Sequence, residues 1–208
     1  MNRGDTLRAG LQALAINLPD AAIVKLLAYV DLLVKWNATY NLTAIRNGDE
    51  MVTQHLLDSL SLLPYLGDVK SLADIGSGAG LPGIPLAIAR PELQVTLIDS
   101  VQKKSAFQQQ ARIDLALSNV SIYSGRIEDF RQLAAFDAVT ARAFSDLSSL
   151  AAAGAPLLRE GGRIYAMKGV LPQEEIAALP AEWRLASAPR LQVPGLEAER
   201  HLLILERS

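Results

Sequence analysis

Short apolar runs alternate with helical segments through the middle of the chain. Five runs have the length and composition of buried strands: Ser71–Ile75, Gln94–Ile98, Val120–Tyr123, Phe136–Thr140 and Arg163–Met167. Helical segments follow or separate them: Ile84–Ala89, Lys103–Leu117, Leu147–Leu158 and Gln173–Leu179. Because strands joined through helices pair in parallel and are covered on both faces, the alternation predicts an α/β fold with a doubly wound, mostly parallel sheet.

The C-terminal part departs from this alternation. Trp183–Val193 and His201–Leu205 are two further β-like runs, which Pro194-Gly195 and a short polar loop connect. Such a pair is typical of a hairpin, in which neighbouring strands run antiparallel. We therefore predict seven strands, with an antiparallel strand last.

Two helical patterns precede the alternating part. Asp20, a residue suited to an N-cap, is followed by apolar residues at helical spacing as far as Val34. The polar stretch Asn37–Gly48 interrupts this pattern, and a second helix is expected from about Asp49 to Leu63. Neither helix can form a core alone. We therefore predict that residues 1–66 are a helical appendage packed on a domain formed by residues 67–208.

Composition limits the partners and the compartment. The 208 residues carry a net charge of −2, so any nucleic acid must bind a local basic patch. The absence of cysteine excludes disulfides and cysteine-ligated zinc, and the two histidines do not form a metal-ligand pattern, so no metal site is expected. Met1–Gly10 lacks the pattern of a secretory leader, and no apolar run approaches the roughly 20 residues that span a bilayer. We expect a cytoplasmic protein without membrane attachment.

A glycine-rich turn joins the first predicted strand to its helix. Residues 72–83 have the sequence Leu-Ala-Asp-Ile-Gly-Ser-Gly-Ala-Gly-Leu-Pro-Gly. Glycine permits positive φ and a close approach of ligand to backbone, and the start of the following helix offers free N–H groups. The turn therefore predicts a nucleotide-like ligand at the carboxyl ends of the strands. A tight structural turn without a ligand is the alternative that the glycines alone leave open.

Two acidic residues limit the chemical class of the ligand. Asp74 lies at the end of the first strand, two residues before Gly76, and Asp99 ends the second strand. A carboxylate at Asp99 can accept hydrogen bonds from both ribose hydroxyls. Asp74 would repel a pyrophosphate and suits a ligand with an ammonium group. This combination, which includes Gly78, is characteristic of methyltransferases that bind S-adenosylmethionine, whereas a P-loop is excluded because no Gly-Lys-Ser/Thr follows the glycines.

The absence of certain residues and motifs reduces the number of possible methyl acceptors. Methylation of a pyrimidine C5 normally needs a cysteine nucleophile, which is absent. The Asn/Asp-Pro-Pro-aromatic turn common in enzymes that methylate exocyclic amines is absent too, because residues 140–144 are Thr-Ala-Arg-Ala-Phe. The lone pair of a guanine N7 lies in the ring plane, so alignment and electrostatics suffice without a general base. The sequence is compatible with an N7 acceptor and does not require one.

Eight stretches of the sequence carry a family resemblance that covers nearly the whole chain. They are residues 35–43, 55–59, 74–85, 97–100, 126–128, 141–144, 166–169 and 199–201. Together they resemble the bacterial ribosomal small-subunit methyltransferase G family, also called glucose-inhibited division protein B. The Gly-Leu-Pro-Gly-Ile-Pro sequence at 80–85 is the most specific part, because methyltransferases at large do not share it.

The resemblance implies a Rossmann-like class I methyltransferase that uses S-adenosylmethionine to methylate N7 of a guanine in the 530 loop of 16S ribosomal RNA. We expect the protein to be a monomer. The implied partner is 16S RNA or the small ribosomal subunit. Motif positions imply cofactor contacts at Gly76, Leu81, Asp99, Ile127, Glu128 and Arg142. Arg142 would lie near the transferred methyl group in a positioning role, and its motif leaves open whether it serves the cofactor, the RNA or both.

Four further polar residues are predicted to bind the RNA: Asn41, Arg126, Lys168 and Arg200. The three cations, with Arg142, fall at or near strand ends, so we expect them to converge on one rim of the sheet and hold phosphates. The alternatives are an ordinary solvated charge for each cation and a turn cap for Asn41. A methyltransferase of the same fold acting on a small molecule or a protein, and a non-catalytic binding module, are the other functions that the sequence leaves open.

Overall fold

Seven strands form a mixed sheet at the centre of the computed structural model, which describes residues 2–208. The strands are β1 (Ser71–Ile75), β2 (Gln94–Asp99), β3 (Val120–Ser124), β4 (Phe136–Arg142), β5 (Leu158–Lys168), β6 (Trp183–Ser187) and β7 (His201–Arg207). Their order is β3-β2-β1-β4-β5-β7-β6. Strands β1 to β5 pair in parallel, and β7 pairs antiparallel with both β5 and β6. The predicted α/β sheet with its antiparallel hairpin is confirmed.

The strand order reverses in the middle of the sheet. From β1 the chain proceeds outward to β2 and β3, then returns to place β4 on the other side of β1. In doubly wound sheets such a reversal opens a crevice at the carboxyl ends of the strands, because the neighbouring connections leave in opposite directions. The sheet topology therefore places a ligand crevice beside the end of β1.

Eight α-helices accompany the sheet in the described part of the chain: α1 (Arg3–Ala13), α2 (Asp20–Tyr40), α3 (Gly48–Met51), α4 (Asp58–Leu60), α5 (Gly83–Ala89), α6 (Gln102–Asp114), α7 (Leu147–Gly154) and α8 (Gln173–Ala177). A π-helical turn, Val52–Leu57, joins α3 to α4 in one continuous helical stretch. This stretch corresponds to the helix predicted from Asp49 to Leu63. None of the helices in residues 2–208 is both long enough and apolar enough to cross a membrane.

Helix α1 was not predicted, because its apolar residues are few and interrupted by charges. Its sequence signal is a capping box: the Asn2 side chain accepts a hydrogen bond from the Asp5 N–H, and the Asp5 carboxylate accepts one from the Asn2 N–H. The helix is then held by packing, since Leu7 and Leu11 are buried. Local capping and tertiary burial together outweigh its weak periodicity.

Three boundaries in the second half of the chain also differ from the prediction. The helix expected to reach Leu158 ends at Gly154, and β5 begins at Leu158 instead of Arg163. Strand β6 ends at Ser187 instead of Val193. Proline has no N–H to donate to a strand ladder, so Pro189 is incompatible with a continuous strand from Trp183 to Val193.

The N-terminal helices share a hydrophobic core with the sheet. Leu26 and Leu33 of α2 belong to the same cluster of buried side chains as Ile84 and Leu202. The buried hydroxyl of Tyr29 donates a hydrogen bond to the Ala79 carbonyl in the glycine-rich turn, at 2.7 Å. Helix α2 is therefore in direct contact with the turn that the sequence singles out.

We predict that Gly83→Ala destabilises the protein. A Cβ at this first residue of α5 would overlap the Leu97 side chain and approach an Asp74 carboxylate oxygen to 2.8 Å. Overpacking of this kind costs about 1–3 kcal/mol, which outweighs the better helix propensity of alanine. Urea unfolding measures the loss. Gly169→Ala is the control, because its nearest neighbour would lie at 3.8 Å; equal stability of the two variants would contradict the prediction.

Candidate active site

The glycine-rich turn between β1 and α5 has left-handed backbone at three glycines. Gly76, Gly78 and Gly80 have φ values of 66°, 58° and 82°. An L side chain is strained in this region, which explains the choice of glycine. A Cβ built at Gly76 would meet no atom within 4 Å, so the turn is open to space on that side.

Two carboxylates at the strand ends hold this turn. Asp99, at the end of β2, accepts a hydrogen bond from the Gly78 N–H at 2.8 Å through Oδ2 and one from the Val101 N–H at 2.9 Å through Oδ1. Asp74, in β1, accepts one from the Gly83 N–H at 2.8 Å through Oδ2. Its other oxygen, Oδ1, is buried and has no partner among the described residues. The carboxylates thus fix both halves of the turn to the sheet.

Asp74 is fully buried, and this changes its ionisation. Burial raises the pKa of Asp74 to about 7, although the Gly83 N–H and the positive charge of Arg142 act in the opposite direction. A cation that reached this carboxylate would favour its charged form. The pKa near neutrality therefore leaves the charge of Asp74 sensitive to the ligand.

A cavity of about 520 Å³ lies at the carboxyl ends of β1 to β4. Its wall consists of Ile75, Gly76, Ile98, Asp99, Ser100, Gly125, Arg126, Ile127, Glu128 and Phe144. Five of these residues were predicted as site residues from the sequence: Gly76, Asp99, Arg126, Ile127 and Glu128. Apolar walls with a few convergent polar groups are typical of small-molecule sites.

Three other predicted cofactor residues lie behind the wall of this cavity. Asp74 is buried beneath the turn, and Leu81 is only 4% exposed. Gly78 presents its N–H to Asp99 and its carbonyl to the side chain of Gln108. Gly78 and Leu81 therefore contribute to a ligand site through the shape of the turn, whereas Asp74 can also contribute its charge.

The side chain of Arg142 is not part of the cavity wall and belongs to an ionic cluster with Asp58 and Arg200. One terminal nitrogen, Nη1, donates to Asp58 Oδ2 at 3.0 Å and to the Gln54 carbonyl at 3.1 Å. Asp58 is 1% exposed, and its Oδ1 accepts from Arg200 Nε at 2.9 Å. Arg142 and Arg200 are thus brought together, as predicted, by a carboxylate that the prediction did not include. The π-helical turn supplies Gln54 and His55; such turns are frequent at functional sites.

His55 connects this cluster to the polar stretch after α2. Its Nδ1 lies 3.3 Å from Arg142 Nη2, and its Nε2 lies 2.9 Å from Thr43 Oγ1. Burial, with the positive charge of Arg142, lowers the pKa of His55 to about 4. His55 and Asp58 are three residues apart in the same helical stretch, and Arg142 lies between them and contacts both.

The predicted RNA-binding cations all lie at the rim where the parallel strands end, but the protein already engages their polar atoms to different degrees. Lys168 Nζ is occupied by Glu175 and by two backbone carbonyls, and Arg126 lies at the cavity next to Glu128, with its side chain 77% exposed. Asn41 has a φ of 49° at the end of α2, and its side chain accepts from Arg46. Asn41 is thus the C-cap of α2, which fits the turn-cap alternative.

Sequence reasoning missed three kinds of site residue. Phe144, Ser100 and Gly125 line the cavity because of where the strands end; Ser100 and Phe144 lie within the family stretches 97–100 and 141–144, but neither was predicted as a site residue. Gln108 on α6 donates to Ser77 Oγ and the Gly78 carbonyl from below the turn. Asp58 did carry a signal, since a carboxylate on an apolar helix face must have a buried partner.

The neutral state of His55 predicts a specific dependence of stability on pH. Its pKa is lower in the folded protein, at about 4, than in an unfolded chain, at about 6.5. Below pH 6.5 the unfolded chain binds a proton at His55 that the folded protein does not bind. The free energy of unfolding is therefore highest above pH 6.5 and decreases as the pH falls toward 4. Between pH 7 and 5, His55→Gln should lose about 2 kcal/mol less unfolding free energy than the wild type. Identical pH profiles in urea unfolding would contradict a buried neutral His55.

Comparison with solved structures supports the fold assignment. A Burkholderia thailandensis 1,6-didemethyltoxoflavin-N1-methyltransferase, solved with S-adenosylhomocysteine, has a TM-score of 0.59 at 15% identity and covers 87% of this chain and 89% of its own. A predicted O-methyltransferase from Agrobacterium tumefaciens has a TM-score of 0.58 at 22% identity, covering 74% and 79%. The predicted Rossmann-like class I methyltransferase fold is confirmed.

Sequence relatives identify the family. The family described as rRNA small subunit methyltransferase G matches residues 22–203. Ribosomal RNA small subunit methyltransferase G of Azoarcus sp. (strain BH72) is 52% identical over 97% of this chain and 95% of the relative. The protein with the same description from Neisseria meningitidis serogroup A is 51% identical over the full length of both. The chain therefore belongs to the rRNA small subunit methyltransferase G family.

Proposed function

We propose that this protein transfers the methyl group of S-adenosylmethionine to N7 of a guanine in the 530 loop of 16S ribosomal RNA. Membership of a family named for the small ribosomal subunit RNA supports the substrate class. The observation that carries the proposal is the cavity between the glycine-rich turn and the loop of Ile127 and Glu128, with Asp99 in its wall. The choice of N7 and of the 530 loop rests on the family resemblance, because the residues themselves are compatible with an N7 acceptor without requiring one.

The residues of the cavity fit the cofactor. Asp99 uses each carboxylate oxygen for one backbone N–H, and a carboxylate has about four lone-pair sites, so it can also accept from ribose hydroxyls. Ile98 and Ile127 offer apolar surface to an adenine ring. The positive charge of the bound cofactor suits Asp74, whose second oxygen has no partner in residues 2–208. A solved relative in fold, the Burkholderia enzyme, holds S-adenosylhomocysteine.

The proposed reaction needs alignment more than proton transfer. The bound cofactor supplies an electrophilic methyl group on a positively charged sulfur. A guanine N7 attacks with an in-plane lone pair, so no residue must first remove a proton. The protein's role is to hold the base and to place charged groups where charge develops in the transition state. Ile75, Ile98 and Phe144 in the cavity wall would exclude water. Arg142, two residues before Phe144, is held rigidly by Asp58 for this positioning role.

The RNA backbone would meet a local positive patch. Two arginines and one aspartate, with His55 neutral, give the Arg142–Asp58–Arg200 cluster a net charge of +1. The arginine side chains remain 23% and 27% exposed, so N–H groups are left for phosphates. We propose these two arginines and Arg126 as phosphate ligands. Asn41 and Lys168 have their polar atoms engaged by the protein and would act indirectly.

We predict that the protein labels 16S RNA from methyl-labelled S-adenosylmethionine, in isolated small subunits or in free 16S RNA from cells that lack the activity. Reduction followed by aniline cleavage breaks RNA at N7-methylguanine and should produce one new break in the 530 loop. Label elsewhere in the RNA would contradict the assignment to the 530 loop, and label in that loop without a new break would contradict the N7 assignment. Label absent from both substrates, with cofactor bound, would favour a small-molecule or protein acceptor, which the net charge of −2 also suits.

A matched pair of arginine variants controls this assay. Arg200→Ala removes a proposed phosphate ligand and should reduce labelling about tenfold, because a charged hydrogen bond to phosphate contributes about 1.5 kcal/mol or more. Arg184→Ala removes an equally charged side chain on β6 that pairs with Glu206. It should leave labelling unchanged.

A further inference from the structure

Lys168, the last residue of β5, is bound on all sides by the protein itself. Its Nζ lies 3.2 Å from the Phe144 carbonyl, 3.4 Å from the Ser145 carbonyl and 2.9 Å from Glu175 Oε2. A lysine ammonium has three N–H donors, so these three partners account for all of them. Only 13% of the side chain is exposed. This is the environment of an internal tie and not of a phosphate ligand.

Glu175 extends the tie to the other end of the same loop. The carboxylate, on α8, accepts a hydrogen bond from the Leu147 N–H at 2.9 Å through Oε2, at the start of α7. Lys168 therefore holds the loop at residues 144 and 145, and Glu175 holds it where α7 begins. The pair spans the entire connection from β4 to α7.

This connection contains an unfavourable backbone conformation next to the cavity. Ala143 has a φ of 61°, which is uncommon for a residue with a side chain. Such conformations persist only where surrounding contacts impose them. Phe144, the next residue, forms part of the cavity wall. The position of that wall therefore depends on contacts that hold the loop.

We propose that Lys168 and Glu175 form a latch that fixes the loop of residues 143–147, and thereby places Phe144 in the wall of the cofactor cavity. Lys168 is then a positioning residue for the cofactor. It is not a ligand of RNA phosphate. This inference rests on the proposed function, since it assigns the cavity to S-adenosylmethionine.

A direct phosphate contact would require a different local chemistry. To reach a phosphate, Lys168 would have to leave two carbonyls and a carboxylate, and Glu175 would remain beside it as a like charge to the phosphate. Arg126 and Arg200 offer exposed N–H groups without that rearrangement. The charges around Lys168 thus favour the latch over the phosphate ligand.

The test measures binding of S-adenosylhomocysteine by calorimetry, which needs no turnover. Lys168→Met keeps the length of the side chain and removes its charge, and Glu175→Gln weakens the other half. Each substitution should lower the affinity for S-adenosylhomocysteine about tenfold. The double variant should bind as tightly as the single variant with the lower affinity, because the two residues act as one unit. Lys70→Met, on an exposed lysine just before β1 at the opposite edge of the sheet, is the control and should bind as the wild type does.

A second measurement separates the latch from a phosphate contact. If Lys168 bound phosphate, Lys168→Met would lower the slope of log affinity for single-stranded RNA against log salt by about 0.7. The latch predicts an unchanged slope. Wild-type affinity for the cofactor product in both single variants, or a reduced slope in Lys168→Met, would overturn the inference. If Lys168→Met does not fold, Glu175→Gln decides it. Absence of binding in the wild type would contradict the proposed function itself.

Discussion

Two hydrogen bonds, which strand-end carboxylates accept from backbone N–H groups of one turn, determine where everything else in the site lies. Asp99 accepts from Gly78, and Asp74 accepts from Gly83, each at 2.8 Å. Such bonds are strong when the carboxylate is charged. They fix a left-handed glycine turn that side-chain packing alone could not hold, because glycines have no side chains to pack. The open face at Gly76, and hence the cavity, follows from this arrangement.

The N-terminal helices complete the site from the other side. Asp58 is buried, and a buried carboxylate is tolerated only with charged partners. Arg142 from β4 and Arg200 from the residue before β7 meet this need, so one carboxylate joins three distant parts of the chain. Through Arg142 the cluster also reaches His55 and Thr43. The helical segment is therefore connected to the end of β4, where the proposed methyl acceptor would bind.

The sequence was sufficient for the features that repeat or that follow local rules. Strand–helix alternation gave the sheet, and the Asp–glycine motif located the turn at Gly76 and the cavity. The carboxylate that brings Arg142 and Arg200 together could not be identified from the sequence, because Asp58 is 142 residues from Arg200 and no local pattern links the two. Lys168 shows a second limit of prediction from sequence. A motif places this cation near a strand end, but only the fold shows that Glu175 pairs with it. Helix α1 was not predicted because its apolar periodicity is weak, although the capping box of Asn2 and Asp5 indicates where it starts.

The central claim is that the carboxylate-held turn forms the cofactor site, and two buried aspartates allow a direct test. Asp99 and Asp137 are 6% and 8% exposed, and each accepts two backbone N–H bonds, Asp137 from Lys70 and Ser71 at the opposite edge of the sheet. The measurement is calorimetric titration of S-adenosylhomocysteine into Asp99→Asn and Asp137→Asn. Asp99→Asn should weaken binding at least tenfold, whereas Asp137→Asn should bind as the wild type does despite a comparable loss of stability. Equal affinities in the two variants would contradict the account.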